Sequence, residues 1–170
     1  PESVSLNSDI DIIIPKKLNE KMESFLKNHA LISQFKTEKK SFMNAIKIVT
    51  YENEILALDL IWQLKRKNLE MLNAKEIIAK NVKNGFGVKN ASCKYTVQYI
   101  ALFHLLNNAK IPKKYLTYNQ IIQNSDSELD LLINEYYSNR KQNKTKLLHY
   151  LHRQKENKKI SFIINTINYG

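Results

Sequence analysis

The sequence predicts a mainly α fold, and its scarcity of turn-forming residues is the first reason. Only three glycines and three prolines occur among 170 residues, which is well below the average usage of both types. Tight turns between strands consume glycine, whereas helices avoid it, so this composition favours helices. Hydrophobic residues make up 43% of the chain, which is enough for a packed core. We therefore expect residues 1–170 to form a single helical domain, a compact bundle of about seven or eight helices.

The first half of the chain is predicted to hold one short strand and three helices. Residues 8–14 alternate and then become apolar, which is typical of a strand that ends before a proline. Apolar residues recur at helical spacing over 16–35 and again over 37–50, so each segment predicts an amphipathic helix. A long helix with a threonine cap is expected over 51–72.

The middle of the chain predicts a short helix at 74–82 and, after a pair of glycines, a strongly apolar helix. Asn90 is its expected N-cap. The apolar positions of this second helix repeat at three and four residues, which predicts a buried face made by Val97, Ile100, Ala101 and Leu105.

The last third is also predicted to be mainly helical. Two capping-box patterns, Thr117 with Gln120 and Ser125 with Glu128, each predict the start of a short helix. Residues 139–145 are a polar connector, and 146–155 are helical again. The tail, ISFIINTINY, predicts either a terminal helix or a strand that pairs with 10–14, in which case the chain termini form a small β pair.

The positive charge of the chain is concentrated in two windows. The net charge is +11, and the window from Ala74 to Lys114 holds eight lysines and one acid, which gives +7. The window from Asn139 to Lys159 holds eight basic residues and one acid, which again gives +7, so the rest of the chain sums to −3. Such a distribution indicates surface patches for a polyanion.

Two of the three glycines lie one residue apart, in the stretch NVKNGFGVKNA. Residues Gly85 to Ala91 read G-h-G-x-K-x-A with helical pattern on both sides. Over 73–107 this resembles the helix-hairpin-helix motif of DNA-binding proteins. The resemblance implies that Gly85 and Gly87 let the backbone offer its N–H groups to a phosphate, while Lys89 adds a charge and the following helix adds its dipole. An ordinary helix C-cap at Gly85 is the alternative.

A more specific form of the resemblance concerns the DNA glycosylases with lyase activity that carry this motif. There a lysine at the position of Lys89 attacks the sugar, and an aspartate about one helix further on assists it. The corresponding stretch, 101–114, contains no acid, and Asn107 and Asn108 lie near the expected position. A glycosylase-lyase is therefore the weakest of the functions considered.

No other sequence pattern predicts a catalytic or metal-binding residue. His149 and His152 lie three residues apart without a supporting carboxylate or cysteine, and Cys93 is the single cysteine. No phosphate-binding loop, dinucleotide fingerprint or paired-carboxylate signature is visible. We therefore expect no cofactor and no metal. The sequence also contains no run of eighteen apolar residues that would predict a transmembrane helix.

The function predicted from these patterns is nucleic-acid binding through phosphate contacts, with DNA slightly preferred over RNA. Its predicted contacts lie in the glycine pair, the two basic windows and the KIPKK segment: Gly85, Gly87, Lys89, Asn90, Lys113, Lys114, Arg140, Lys141, Lys144, Lys146, Arg153 and Lys155. The alternative is a helical protein interaction module whose basic surface meets an acidic protein partner. The single cysteine favours an intracellular location, cytoplasm or nucleus.

Overall fold

The protein has a mixed α/β fold, so the prediction of a mainly α bundle was wrong. The structure, a computed structural model, describes residues 9–122 and 127–168, apart from the side chains of 119, 140–142 and 162–168. The chain forms two compact units, one from 1–64 and 74–79 and the other from 65–73 and 80–170. Because two units can belong to one domain or to two, the number of domains stays a prediction.

The first unit is built on a four-stranded sheet. Its strands have the order β1-β4-β3-β2, in which β1 runs parallel to β4 and the other neighbours are antiparallel. Its elements are β1 (Ile10–Ile13), a 3-10 turn (Lys16–Leu18), α1 (Asn19–Lys27), β2 (Ile32–Lys39), β3 (Met43–Thr50), β4 (Ile55–Ile61) and α2 (Ala74–Ala79).

One face of this sheet forms the core of the first unit. Ile46 and Ile48 of β3 are buried beside Leu58 and Leu60 of β4, and α1 packs its partly buried apolar side chains against them. Every second residue of these strands therefore faces the core, which is the period of a strand that buries one face. The residues between them lie on the opposite face of the sheet.

The segment 37–50, predicted as a helix, holds the end of β2 and all of β3. The segment 51–72, also predicted as a helix, holds β4 and two further short strands, Leu64–Arg66 and Leu69–Leu72, and the helix predicted over 16–35 ends at Lys27. The physical reason lies in which residues make the turns. Left-handed backbone conformations, for which glycine is the usual choice, are taken by Asn53 (φ 63°), Lys67 (φ 47°), Asn68 (φ 61°) and Asn108 (φ 53°). Asparagine tolerates this region better than most residues. Few glycines therefore did not mean few strands.

The second unit combines two short hairpins with three helices. Its elements are β5 (Leu64–Arg66, of which Leu64 belongs to the first unit), β6 (Leu69–Leu72), β7 (Val82–Lys83), β8 (Lys89–Asn90), α3 (Cys93–Leu106), a 3-10 segment (Lys113–Ile122), α4 (Glu128–Ser138) and α5 (Arg140–Asn168). Strand β5 pairs with β6 and strand β7 pairs with β8.

Helix α3 is the centre of the second unit's core. Val97 and Ala101 are 0% exposed, Leu105 is 2% exposed and Ile100 is 9% exposed, so the predicted buried face is confirmed. A buried carboxylate on α4 also contacts α3. Asp130 accepts a hydrogen bond from Gln98 of α3 at 2.6 Å and lies 2.6 Å from the ammonium of Lys94 of α3. These contacts fix α3 against α4.

Other boundaries in the second half were predicted with mixed success. The helices at 74–82 and 146–155 are confirmed in α2 and α5, but α5 already begins at Arg140, so the connector at 139–145 was wrong. The tail continues α5 to Asn168, so it forms no β pair between the termini.

The predicted caps also differ from the observed ones. Asn90 lies in β8, and Ser92 is the N-cap of α3. Thr117 lies within the 3-10 segment, and Ser125 lies outside the described residues. The cap of α4 is Ser127, whose hydroxyl accepts a hydrogen bond from the Asp130 N–H at 3.2 Å.

Candidate functional site

The glycine pair lies at the tip of a two-stranded hairpin rather than at the start of a helix. Val82 pairs with Asn90 and Lys83 with Lys89, and Gly87 has a φ of 75° in the turn between them. Strand β8 therefore separates the glycines from α3, whose dipole the helix-hairpin-helix resemblance had placed directly behind the turn. The motif predicted over 73–107 does not have its expected geometry.

The backbone N–H groups of this turn are already used within it. The Asn84 side-chain oxygen accepts hydrogen bonds from the N–H groups of Phe86 at 3.0 Å and Val88 at 2.9 Å. The Gly87 N–H donates to the Asn84 carbonyl at 2.9 Å, and the Asn84 N–H donates to the Val88 carbonyl at 2.9 Å. A phosphate would have to break these bonds before the turn could cradle it.

Several cations of the second basic window have partners inside the protein. Lys146 donates to Glu135 at 2.9 Å, and Arg153 pairs with Glu128 while its guanidinium lies 5.7 Å from the ring centre of Tyr150. Lys144 donates to the side-chain oxygen of Asn108 at 2.6 Å. The structure thus does not gather these three residues into a free basic patch.

The remaining predicted contacts are dispersed. Lys113 and Lys114 are exposed on the 3-10 segment, with the ammonium of Lys114 lying 4.8 Å from the ring centre of Tyr115. Lys155 lines a cleft. The side chains of Arg140 and Lys141 lie outside the described residues.

Two aspartates stand side by side on the sheet of the first unit. Asp11 of β1 is the register partner of Asp59 of β4 in the parallel pair. Neighbouring strands lie about 4.8 Å apart, and side chains at partner positions point to the same face of a sheet. Because Ile10 and Ile12 face the core, Asp11 and Asp59 lie on the opposite face.

The row that contains these aspartates continues across the whole sheet. Ala45 of β3 is the register partner of Asp59, and Glu38 of β2 is the register partner of Ala45. Ala45, with its small side chain, therefore lies between the carboxylates of Asp59 and Glu38 in this row. Glu38 differs from the aspartates, since it has its own cation, Lys40, at 3.5 Å.

The protein environment disfavours the charged forms of both aspartates. Partial removal of water raises the pKa of Asp11, and the negative charges of Asp59 and Asp9 raise it further. The pKa of Asp59 is also raised, first by desolvation, then by Asp9 and least by Glu38, although Lys40 lowers it. The negative charge of Asp59 therefore stabilises the protonated form of Asp11. Carboxylates with raised pKa values that lie together are typical of functional sites.

The aspartates do not enclose a metal ion without help. In the part of the chain that the structure describes, no group of three or more His, Cys, Asp or Glu side chains is arranged to hold a metal. Mg²⁺, however, is usually bound by one or two carboxylates together with water and substrate phosphates, rather than by a complete cage of protein ligands. Asp11 and Asp59 would supply the two carboxylates of such a site.

The sequence shows isolated aspartates within apolar strand segments, but nothing in the local spacing links Asp11 to Asp59. Asp9 and Asp11 alternate with isoleucine, and Asp59 is the single charge within ILALDLI. A charged residue at every second position of an apolar strand lies on one face. Recognising the pair requires knowing that β1 lies beside β4, because the two aspartates are far apart along the chain.

Comparisons of this chain with protein-family models, with curated proteins and with solved structures find no match. In the described residues, no helix is long and apolar enough to cross a membrane.

Proposed function

We propose that the protein is a divalent-cation-dependent enzyme that transfers a phosphate-bearing group, and that Asp11 and Asp59 hold the cation. The observation that carries this proposal is the register pairing of two carboxylates, in which the negative charge of Asp59 raises the pKa of Asp11. A divalent cation between them would offset the repulsion and would leave coordination positions for phosphate oxygens. The net charge of +11 also favours an anionic substrate.

The chemistry expected of this site is in-line displacement at phosphorus. An acceptor oxygen attacks the phosphorus, the bond from phosphorus to the leaving oxygen breaks, and the proton of the acceptor passes to water or to a carboxylate. A divalent cation, if bound, would supply stabilisation of the negative charge on the phosphate oxygens. Asp11 and Asp59 would hold the cation, and the negative charge of Asp9, which raises the pKa of both, would add to the attraction.

Thermal unfolding with Mn²⁺ tests the cation site, and labelled nucleotide tests the reaction. Mn²⁺ with ATP should raise the melting temperature of the wild type, because a ligand that binds only the folded state stabilises it. Asp11→Asn and Asp59→Asn should abolish the increase. Glu38→Gln is the matched control, since it removes a carboxylate from the same row but should keep the increase. The proposal fails if the wild type gains no stability.

The reaction class follows from the position of the label. With ATP labelled at the α-phosphate, transfer of label to protein, nucleic acid or small acceptors would indicate nucleotidyl transfer. Transfer of label from the γ-phosphate alone would indicate phosphoryl transfer. A wild type that transfers neither label with any acceptor class, while Asp59→Asn behaves identically, would argue for a cation-binding protein without this activity.

Nucleic-acid binding remains a second proposal, and one feature of the β7–β8 hairpin favours it. Lys83 and Lys89 are direct register partners, both are exposed, and neither has an ion pair with a described side chain. Like charges at directly opposite positions destabilise a pair of strands. A phosphate lying over this pair would relieve the repulsion without using the occupied N–H groups of the turn.

Salt-dependent binding tests this second proposal. Affinity for an oligonucleotide should fall steeply with salt, and Lys89→Ala should reduce the log–log slope by about 0.9, the value for one phosphate contact. Lys146→Ala, which removes a cation already paired with Glu135, is the matched control and should change the slope less. Equal slopes for wild type and Lys89→Ala would remove the hairpin from the interface.

Lys89 is exposed, whereas an amine that attacks a sugar needs a desolvated pocket, so the geometry does not favour a lyase.

A further inference from the structure

A lysine-lined cleft in the second unit has a charge that its own residues do not neutralise. The cleft has a volume of about 520 Å³ and lies between the β5–β6 hairpin and α5. Its walls carry Lys65, Asn68, Glu70, Leu151, Gln154, Lys155, Lys158 and Lys159. Four lysines against one glutamate give these walls a net charge of +3.

One of the four lysines of the cleft is neutralised by an ion pair with a described side chain, and the other three are not. Lys158 donates to Glu70 at 2.8 Å. Lys65, Lys155 and Lys159 form no ion pair with any side chain that the structure describes. Three unneutralised ammonium groups around one concave surface repel one another, and an anion in the cleft would relieve that repulsion.

Helical spacing explains why α5 contributes most of one wall. Positions 151, 154, 155, 158 and 159 recur at three and four residues and therefore lie on one stripe of the helix. Leu151 is 2% exposed and forms the apolar end of this stripe. Lys155, Lys158 and Lys159 continue the stripe along the wall of the cleft.

The opposite wall, formed by the β5–β6 hairpin, is held in place by Arg66, which lies next to the turn. Arg66 donates from Nε to the side-chain oxygen of Asn107 at 2.9 Å, and its guanidinium lies 5.2 Å from the ring centre of Phe103. These two contacts anchor the end of β5 to α3. Lys65 and Asn68 therefore project into the cleft from a positioned hairpin rather than from a free loop.

We propose that this cleft binds the phosphate groups of a nucleotide or of a nucleic-acid strand. The volume lies within the range of about 300–1,000 Å³ that small-molecule sites occupy. Lysines are common phosphate binders, and Gln154 and Asn68 add uncharged donors and acceptors beside them. The proposal is independent of the cation site, because no residue of the cleft belongs to the four-stranded sheet.

Equilibrium binding without divalent cations tests the cleft. ATP, inorganic tripolyphosphate and a short single-stranded oligonucleotide are the probes, measured at low and at moderate salt. The double variant Lys65→Gln, Lys155→Gln should weaken binding by about tenfold or more, since it removes two free charges that contact phosphate. Lys146→Gln is the matched control, because it lies on the same helix, outside the cleft, and is paired with Glu135.

A variant with the opposite expected effect makes the test stricter. Glu70→Gln removes the one acid of the cleft and releases Lys158, so it should strengthen binding several-fold. Binding of ATP and tripolyphosphate without the oligonucleotide would support a nucleotide site, and preference for the oligonucleotide would support a strand site. The proposal is overturned if none of the probes binds, or if Lys146→Gln loses as much affinity as the double variant.

The same titrations keep this proposal separate from the cation site. Asp59→Asn should bind the three probes as the wild type does when no divalent cation is present. If Asp59→Asn alone loses binding, the phosphates bind at the aspartates and not in the cleft.

Discussion

Asp59 on β4 is the register partner of Asp11 on β1, so that two carboxylates occupy neighbouring positions on one face of a parallel strand pair. Desolvation raises the pKa of each, and negative charges nearby raise it further: those of Asp59 and Asp9 at Asp11, and those of Asp9 and Glu38 at Asp59. Such an arrangement lowers the stability of the folded state at neutral pH. Sites of this kind persist where the charge serves a function, because binding and catalysis often oppose stability.

The first prediction is that removing one of these charges stabilises the protein at neutral pH. A carboxyl whose pKa is raised above its unfolded value of 3.8 favours folding only while it is protonated. This contribution is fully present below pH 3.8 and is lost as the pH rises through the folded pKa. Asp59→Asn should therefore be more stable than the wild type at pH 7, and the difference should disappear toward pH 3.5.

Urea denaturation at pH 7, 5 and 3.5 measures this difference. Glu38→Gln is the control, because Glu38 is the smallest of the causes that raise the pKa of Asp59 and lies 3.5 Å from Lys40, so its loss should stabilise the protein much less. If Asp59→Asn is less stable than the wild type at pH 7, the two carboxylates are stabilised by their surroundings and the premise of the cation site is wrong.

The second prediction concerns the buried carboxylate between α3 and α4. Asp130 is 0% exposed, and the ammonium of Lys94 lies 2.6 Å from one of its oxygens. Lys94→Met removes this cation from a buried carboxylate, which keeps the hydrogen bond from Gln98. We expect a loss of about 3–5 kcal/mol in the free energy of unfolding, as when other buried ion pairs are broken from one side.

The control is an ion pair at the surface of the same unit. Lys146→Met breaks the pair with Glu135, in which both side chains are about half exposed, and should cost about 0.2–1 kcal/mol. Chemical denaturation of both variants gives the comparison. Equal losses would mean that Asp130 does not depend on Lys94 for its charge.

The sequence predicted the second unit better than the first, and the reason is the range of the contacts. Helix α3 was predictable because its apolar residues repeat within one segment. The strand β4 was taken for a helix because Ile55, Leu56 and Ile61 also fit helical spacing, and short apolar runs do not distinguish the two. The choice between strand and helix at β4 is made by its pairing with β1 and β3, and the sequence of β4 alone does not show this pairing.

The candidate site was missed for the same reason. The separation of Asp11 and Asp59 along the chain gives no local pattern, and their proximity exists only once β1 inserts beside β4. The basic residues were easy to see, but their partners were not. Nothing near Lys146 or Arg153 in the sequence indicates that α4 folds back to place Glu135 and Glu128 beside them.

The third prediction uses the turn between β5 and β6. Lys67 and Asn68 both have a positive φ, as a two-residue turn of type I′ requires. A lysine in the left-handed region is strained by about 1–2 kcal/mol, whereas glycine is not. Lys67→Gly should raise the free energy of unfolding by about 0.5–1 kcal/mol, since the greater freedom of glycine in the unfolded chain offsets part of the gain.

Denaturation of Lys67→Gly beside Lys67→Ala isolates the backbone effect. Both variants remove the same charge, but alanine keeps the side chain that the left-handed conformation disfavours. Stabilisation by alanine as large as that by glycine would show that charge, and not backbone strain, is responsible.

The fourth prediction separates the two glycines of the β7–β8 hairpin. Gly87 has a φ of 75°, where any side chain is strained, whereas the space around a side chain at Gly85 is open and no positive φ is found there. Gly87→Val should therefore destabilise the protein by about 1–2 kcal/mol, and Gly85→Ala should change its stability little. Because the N–H groups of Phe86, Gly87 and Val88 are bonded within the turn, folded Gly87→Val should keep its affinity for an oligonucleotide.

Urea denaturation and binding titrations on the same two variants measure both effects. A folded Gly87→Val that loses affinity while Gly85→Ala retains it would restore the turn as a phosphate contact and would show that its internal hydrogen bonds open on binding.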